Sequence, residues 1–143
     1  MKFEEIHAMW DKDAPIDMTD LQSASANVPK LHAKYYRIFV EEKKKLMGLM
    51  RDYKELRHLK KEFVTNPNKE DTEKHGWAPP TRKITLPQAE EYINGDTQML
   101  DYELRIGVQQ EKIDFLKSII QTLSTRGYLI KNIIEDRKYM TGG

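Results

Sequence analysis

The sequence predicts an all-α fold of extended helices, kinked between an N-terminal and a central segment and completed by a long C-terminal oligomerising helix. Three observations carry this. Apolar residues recur at three- and four-residue steps through most of the chain. A heptad pattern runs through the last third. Proline is confined to positions 15, 29, 67, 79, 80 and 87, between or at the edges of these runs.

Residues 3–11 read as a short helix with Phe3, Ile6 and Trp10 on one face, ended by Pro15. Thr19-Asp20-Leu21-Gln22 is a capping-box pattern, in which the threonine hydroxyl accepts the backbone N–H of Gln22. The helix it opens meets Pro29, which lacks a donor and crowds the preceding turn, so a kink or short break is expected at Asn27-Val28-Pro29. Pro29 then serves as a first-turn proline for a helix over about 30–63. Leu31, Tyr35, Ile38, Leu46, Leu49, Tyr53, Leu56 and Phe63 form its apolar stripe. At ~1.5 Å per residue this helix is roughly 50 Å long, and its stripe needs a cover.

Residues 64–81 contain Thr65-Asn66-Pro67-Asn68 and Gly76-Trp77-Ala78-Pro79-Pro80 and read as a loop. Lys83-Ile84-Thr85-Leu86 suits a short extended stretch. Thr85-Leu86-Pro87-Gln88 is a second capping box, opening a two-turn helix that stops at Asn94-Gly95. Asp96 or Thr97 then caps a last helix running to about Tyr139. The expected organisation is 1–64, 65–96 and 97–143, within one structural unit.

The last helix has the sharpest periodicity. Ile113, Ile120, Gly127 and Ile134 are seven apart, with Leu116, Leu123 and Ile130 between them at alternating steps. Ile106 extends the a series upstream, while Ile119 and Ile133 fall at g and widen the stripe, which favours assemblies of more than two helices. Six buried aliphatics at ~1.5–3 kcal/mol each represent roughly 9–18 kcal/mol of gross burial. Few other apolar elements are in sight to cover it, so self-association is expected.

With 143 residues, 38% apolar and 33% charged, the chain suits one highly charged domain. No apolar run reaches eighteen residues, so no membrane-spanning helix is expected. Met1-Lys2-Phe3-Glu4-Glu5 places acids where a secretory signal is basic, and cysteine is absent; a cytoplasmic protein without disulfides or thiolate sites is expected. The net charge is only +1, but it is unevenly spread. Residues 1–20 hold two bases and six acids, whereas 30–61 hold eleven bases and four acids. Such asymmetry suits a polyanion partner or a solvated helix face.

Catalytic patterns are missing. There is no Gly-rich phosphate loop, no His-Glu-x-x-His pair and no Gly-x-Ser-x-Gly elbow. His7, His32, His58 and His75 lack ligand spacing, and Glu4-Glu5, Glu41-Glu42 and Glu90-Glu91 are adjacent, so on helices they point apart and read as solvated faces. No enzyme, metal or cofactor is expected.

Lys43-Lys44-Lys45, Arg51, Lys54, Arg57, Lys60 and Lys61 lie on one predicted helix. Arg57, Lys60 and Lys61 share a face, with Lys54 one turn below. Bases interleaved with Tyr53 and Phe63 suit single-stranded nucleic acid; an ordinary exposed face is the other reading. Glu41, Glu42, Asp52 and Glu55 interrupt the stripe and argue against a membrane-surface helix. Tyr53 lies on the apolar stripe and reads as core. Trp77 either anchors its loop or offers a stacking surface.

Two blocks at opposite ends carry a family likeness. Asp13…Ile16-Asp17-x-Thr19-x-Leu21-Gln22, followed by Ala26-Asn27, Leu31 and Lys34, resembles the N-terminal region of the UvsY family, the recombination mediators of T-even-type phages. Arg126-Gly127-Tyr128-Leu129-Ile130-Lys131-Asn132-Ile133 resembles that family's closing stretch. The resemblance implies a helical protein that binds single-stranded DNA and forms a ring of six or seven copies through its C-terminal region. It further implies loading of a RecA-type recombinase onto DNA covered by a single-strand-binding protein. The family's Leu-Lys-Ala-Arg-Leu motif, followed by Asp-Tyr-Tyr, aligns with Leu56-Arg57-His58-Leu59-Lys60-Lys61-Glu62-Phe63. Its lysine and arginine fall on His58 and Lys60, and of its aromatic pair only Phe63 remains, beside Val64. Together with Arg51 and Lys54 of the basic helix, the expected contacts are Arg57, His58, Lys60 and Lys61, with Arg57 and Lys61 compensating for the weaker His58. The implied C-terminal assembly matches the heptad seam read above, Ile113, Leu116, Ile120, Leu123, Gly127, Ile130 and Ile134. The alternative is a coiled-coil scaffold or adaptor without nucleic-acid binding.

Overall fold

A computed structural model describes residues 1–142. The fold is all-α, with no strand among the described residues: α1 (Phe3–Asp13), α2 (Leu21–Thr65), α3 (Lys69–His75), α4 (Leu86–Asn94) and α5 (Thr97–Met140). The chain packs as two compact units, one made of residues 1–44 with 110–143 and the other of 45–109. Helices α2 and α5 each supply a stretch to both. Packing thus divides the chain at places other than the element boundaries near 64 and 96.

In the first unit, Ile6 of α1, Leu31 and Tyr35 of α2, and Leu116, Ile119 and Leu123 of α5 form the core, with Met9, Trp10, Ile38, Phe39, Phe115 and Ile120 packed around it. The expectation that few apolar elements are available to cover the α5 stripe is corrected here. Helix α1 and the first turns of α2 cover much of it within one chain. A single turn of α1 suffices, because Ile6, Met9 and Trp10, at i, i+3 and i+4, fall on one helix face.

The second unit buries Phe63, Val64, Ile84, Ala89 and Ile93, with Trp77 packed against them. Trp77 is half-buried, its ring centroid 5.4 Å from Phe63 and 4.1 Å from His75, the latter nearly parallel at 17°. It anchors its segment.

Local signals hold in most places. In α4, Gln88 accepts the Thr85 N–H at 3.1 Å, the reciprocal half of a capping box. Asp96 caps α5 by accepting the Met99 N–H at 3.1 Å. At the start of α2 the cap is Asp20, which accepts from the Ser23 N–H at 3.1 Å. Thr19 lies one residue too early, and its N–H and hydroxyl both turn to Asp17.

Helix α2 runs unbroken through Pro29, so no break interrupts it there. An interior proline costs about 3 kcal/mol. Burial of Leu21, Leu31 and Tyr35 around it, at about 1.5–3 kcal/mol each, offsets that cost. Residues 69–75, expected in a loop, form α3. Asn68 accepts the Asp71 N–H at 2.8 Å, and Gly76 closes the helix at φ 70°.

Candidate nucleic-acid interface

The six predicted contacts lie on the α2 segment of the second unit, and the structure separates them by burial. Arg51, Lys54 and His58 are exposed. At i, i+3 and i+7 they line one helix face. Arg51 pairs with its neighbour Asp52 at 3.3 Å, and His58 with Glu62 at 3.1 Å. Both pairs involve well-exposed side chains and contribute little to holding the fold.

Arg57 and Lys61 are half-buried and turn toward α4. Both reach the same oxygen, Glu90 Oε1, at 3.0 and 3.3 Å. Arg57 also donates to Asn94 Oδ1 at 3.3 Å and to the Tyr53 hydroxyl at 3.5 Å. Hydrogen bonds from Arg57 and then Lys61 hold the Glu90 carboxyl below the usual range, and the Glu90 bond raises Arg57 further. Tyr53, read as core, is only half-buried and belongs to neither core cluster, and its hydroxyl donates to Glu103 at 2.7 Å.

Lys60 is buried. Its ammonium donates to both Asp96 oxygens at 2.8 Å and lies 5.0 Å from the Trp77 ring centroid. A lysine so placed neutralises the carboxylate that caps α5; reaching a phosphate would mean breaking that pair. Shared helix position therefore did not bring Arg57, Lys60 and Lys61 to solvent. Of their partners, Glu90 reads in the sequence as part of a solvated face and Asp96 only as a helix cap. A usable signal was present: Arg57 and Lys61 are four apart, as are Glu90 and Asn94, the spacing of two facing helices.

Of the seven seam residues, Ile113, Leu116, Leu123 and Ile130 are buried within the chain, Ile120 and Ile134 are half-buried, and Gly127 is exposed. Tyr128 and Leu129 beside Gly127 are 72% and 51% exposed. The helix does not break at Gly127.

Arg126 was not singled out as a functional residue, yet it joins the chain's two family-like blocks. It is buried, and its guanidinium donates to the Asp13 carbonyl at 3.0 Å and to the Ala14 carbonyl. Its pKa is lowered by that burial. Asp13 itself accepts from Lys34 at 2.7 Å and from the Tyr35 hydroxyl at 2.8 Å. Burial raises the Asp13 pKa, but these hydrogen bonds outweigh it and the carboxyl stays below its ordinary value.

Among the described residues no group of three or more His, Asp or Glu is placed to hold a metal ion, and no helix is long and apolar enough to cross a membrane.

A family model described as "Recombination, repair and ssDNA binding protein UvsY" matches residues 9–143. Two crystal structures of the bacteriophage T4 recombination mediator protein UvsY share the fold. The lattice type IV form gives a TM-score of 0.83 at 19% identity, covering 97% of this chain and 99% of that chain. The lattice type II form gives 0.84 at 19% identity, covering 99% and 98%. No curated protein matches the chain.

Proposed function

Because this chain belongs to the UvsY family of recombination, repair and single-stranded-DNA-binding proteins, we propose that it is a recombination mediator. It binds single-stranded DNA and helps a RecA-type recombinase load onto DNA covered by a single-strand-binding protein. The observation that carries the DNA reading is the exposed face of α2 formed by Arg51, Lys54 and His58. Lys61 continues that face one turn further at its half-buried edge.

Three or four phosphate contacts per subunit give modest affinity and strong salt sensitivity. On single strands, log K falls by ~0.7 per contact for each tenfold rise in salt. A ring of six or seven copies makes the later contacts intramolecular and raises avidity by ~10²–10⁴. The exposed Tyr128 and Leu129, together with Gly127 and the half-buried Ile120 and Ile134, supply a surface on α5 for such an assembly. Wrapping a strand around it would hold DNA in a form the recombinase accepts and loosen the covering protein. In this reading the activity requires binding alone, with no bond made or broken.

The test is a fluorescence-anisotropy titration of labelled single-stranded DNA at several salt concentrations, with duplex DNA as competitor. Tight, salt-sensitive binding that prefers single strands is expected. No binding at low salt would leave a helical scaffold as the better reading.

A further inference from the structure

Arg57 and Lys61 sit one turn apart on α2 and converge on one carboxylate oxygen of Glu90, at 3.0 and 3.3 Å. Arg and Lys converging on one carboxylate oxygen make charge-assisted hydrogen bonds of the kind a phosphate oxygen also accepts. The two basic side chains are only 20% and 30% exposed, but the Glu90 side chain is 64% exposed. The anion in the fork is therefore its most accessible part.

We propose that Glu90 is an internal stand-in for a DNA phosphate, filling the cationic fork of Arg57 and Lys61 until a backbone phosphate displaces it. This rests on the single-stranded-DNA reading of α2. The neighbouring ion pair shows why displacement falls to Glu90. Asp96 is held twice by the buried Lys60 and once by the Met99 N–H, so its removal would leave an uncompensated buried charge and an uncapped helix. Glu90 holds no backbone group among the hydrogen bonds described. Its own carboxylate lies at the surface, where water can take it up, while its half-buried partners Arg57 and Lys61 gain a phosphate in exchange. Glu90 can swing into solvent while Arg57 and Lys61 remain in place to receive a phosphate. The fork adds Arg57 to the Arg51–Lys54–His58 face and frees Lys61 at its edge, and does so only once DNA has competed for them.

The experiment compares single-stranded-DNA affinity at low salt for the full chain and its Glu90→Gln, Glu90→Asp and Glu91→Gln variants. Helicity and assembly mass are followed alongside. Glu90→Gln is expected to tighten binding about two- to five-fold, the equivalent of an exposed ion pair no longer opposing it. Glu90→Asp, which keeps the charge but shortens the reach, should tighten it less. Glu91→Gln removes the same charge from the same helix without emptying the fork and should leave affinity unchanged. If the wild type binds and neither Glu90 variant binds more tightly, the stand-in role is overturned and the DNA reading survives. Equal tightening by Glu91→Gln would also overturn it, since net charge alone would then suffice. Failure of the wild type and all variants to bind would overturn both.

Discussion

Lys60 Nζ lies 2.8 Å from each carboxylate oxygen of Asp96, on a lysine side chain only 7% exposed. Arg51 and Lys54, on the same helix, are exposed to solvent. One basic helix thus carries two kinds of positive charge, and they respond differently to substitution.

Asp96→Ala should be among the most damaging single changes in the second unit. It strands the Lys60 charge and removes the α5 cap, at about 3 kcal/mol for a pair of which one member keeps some solvent. Asp96→Asn retains a capping oxygen and should cost less. Chemical denaturation reads both; equal stability for wild type and Asp96→Ala would refute the assignment of this pair as structural.

Charge reversal at Arg51 and Lys54 should do the opposite. Single-stranded-DNA affinity at low salt is expected to fall at least tenfold, and the salt dependence to become shallower by ~0.7 per lost contact. Stability should stay within about 0.5 kcal/mol, since neither side chain is buried. Retained affinity would move the interface off this face.

Gly127 lies inside α5, exposed, and a Cβ there would meet nothing within 4 Å. Gly127→Ala should therefore stabilise the folded subunit by about 0.5–1 kcal/mol, the helix-propensity gain. Sedimentation of the same variant locates the assembly surface. A loss of mass would mean that a neighbouring copy packs against Gly127, whereas unchanged mass would place that contact elsewhere.

Acid should weaken the fold through carboxylates held by hydrogen bonds at helix ends and, for Glu90, between helices α4 and α2. The pKa values of Asp13, Asp17, Asp20 and Glu90 are all lowered from ordinary values of 3.8 for Asp and 4.5 for Glu. Each binds a proton less readily folded than unfolded, so the unfolded chain takes up more protons as pH falls. Their contribution is complete above those ordinary values and is lost as pH drops through the lowered folded ones. Melting temperature followed by circular dichroism should hold from pH 7 to about 5 and then decline. Asp13→Asn should flatten part of that decline; an identical profile for the variant would show that Asp13 contributes nothing to it.

Helical punctuation was legible from the residues alone. Thr85 with Gln88, Asp96 before the last helix and Asn94-Gly95 at the end of α4 all act through neighbours within four positions, and local chemistry decides them. The break allowed for at Pro29 and the loop expected over Lys69–His75 are absent for opposite reasons. Tertiary burial around Pro29 overrides a local penalty, whereas Asn68 and Gly76 are local signals that the surrounding prolines obscured. Periodicity marked Leu116 and Leu123 as facing something, but only long-range packing determines that α1 and α2 cover them. The basic residues followed the same logic. Helix geometry places Arg57, Lys60 and Lys61 together, while the acids that claim them lie more than twenty-five residues away in the chain.

Arg126 bonds the carbonyls of Asp13 and Ala14, and Arg137 donates to the Met18 carbonyl at 2.9 Å. These ties span more than a hundred residues, within a unit assembled from both ends of the chain. Contacts of such long range slow folding, because a large loop must close before they form. Residues 45–109 form one continuous stretch, so the second unit needs nothing made after Gln109 for its own packing. Helix α1 precedes its core partners Leu116, Ile119 and Leu123 by more than a hundred residues, so it can take its place only after they have been made.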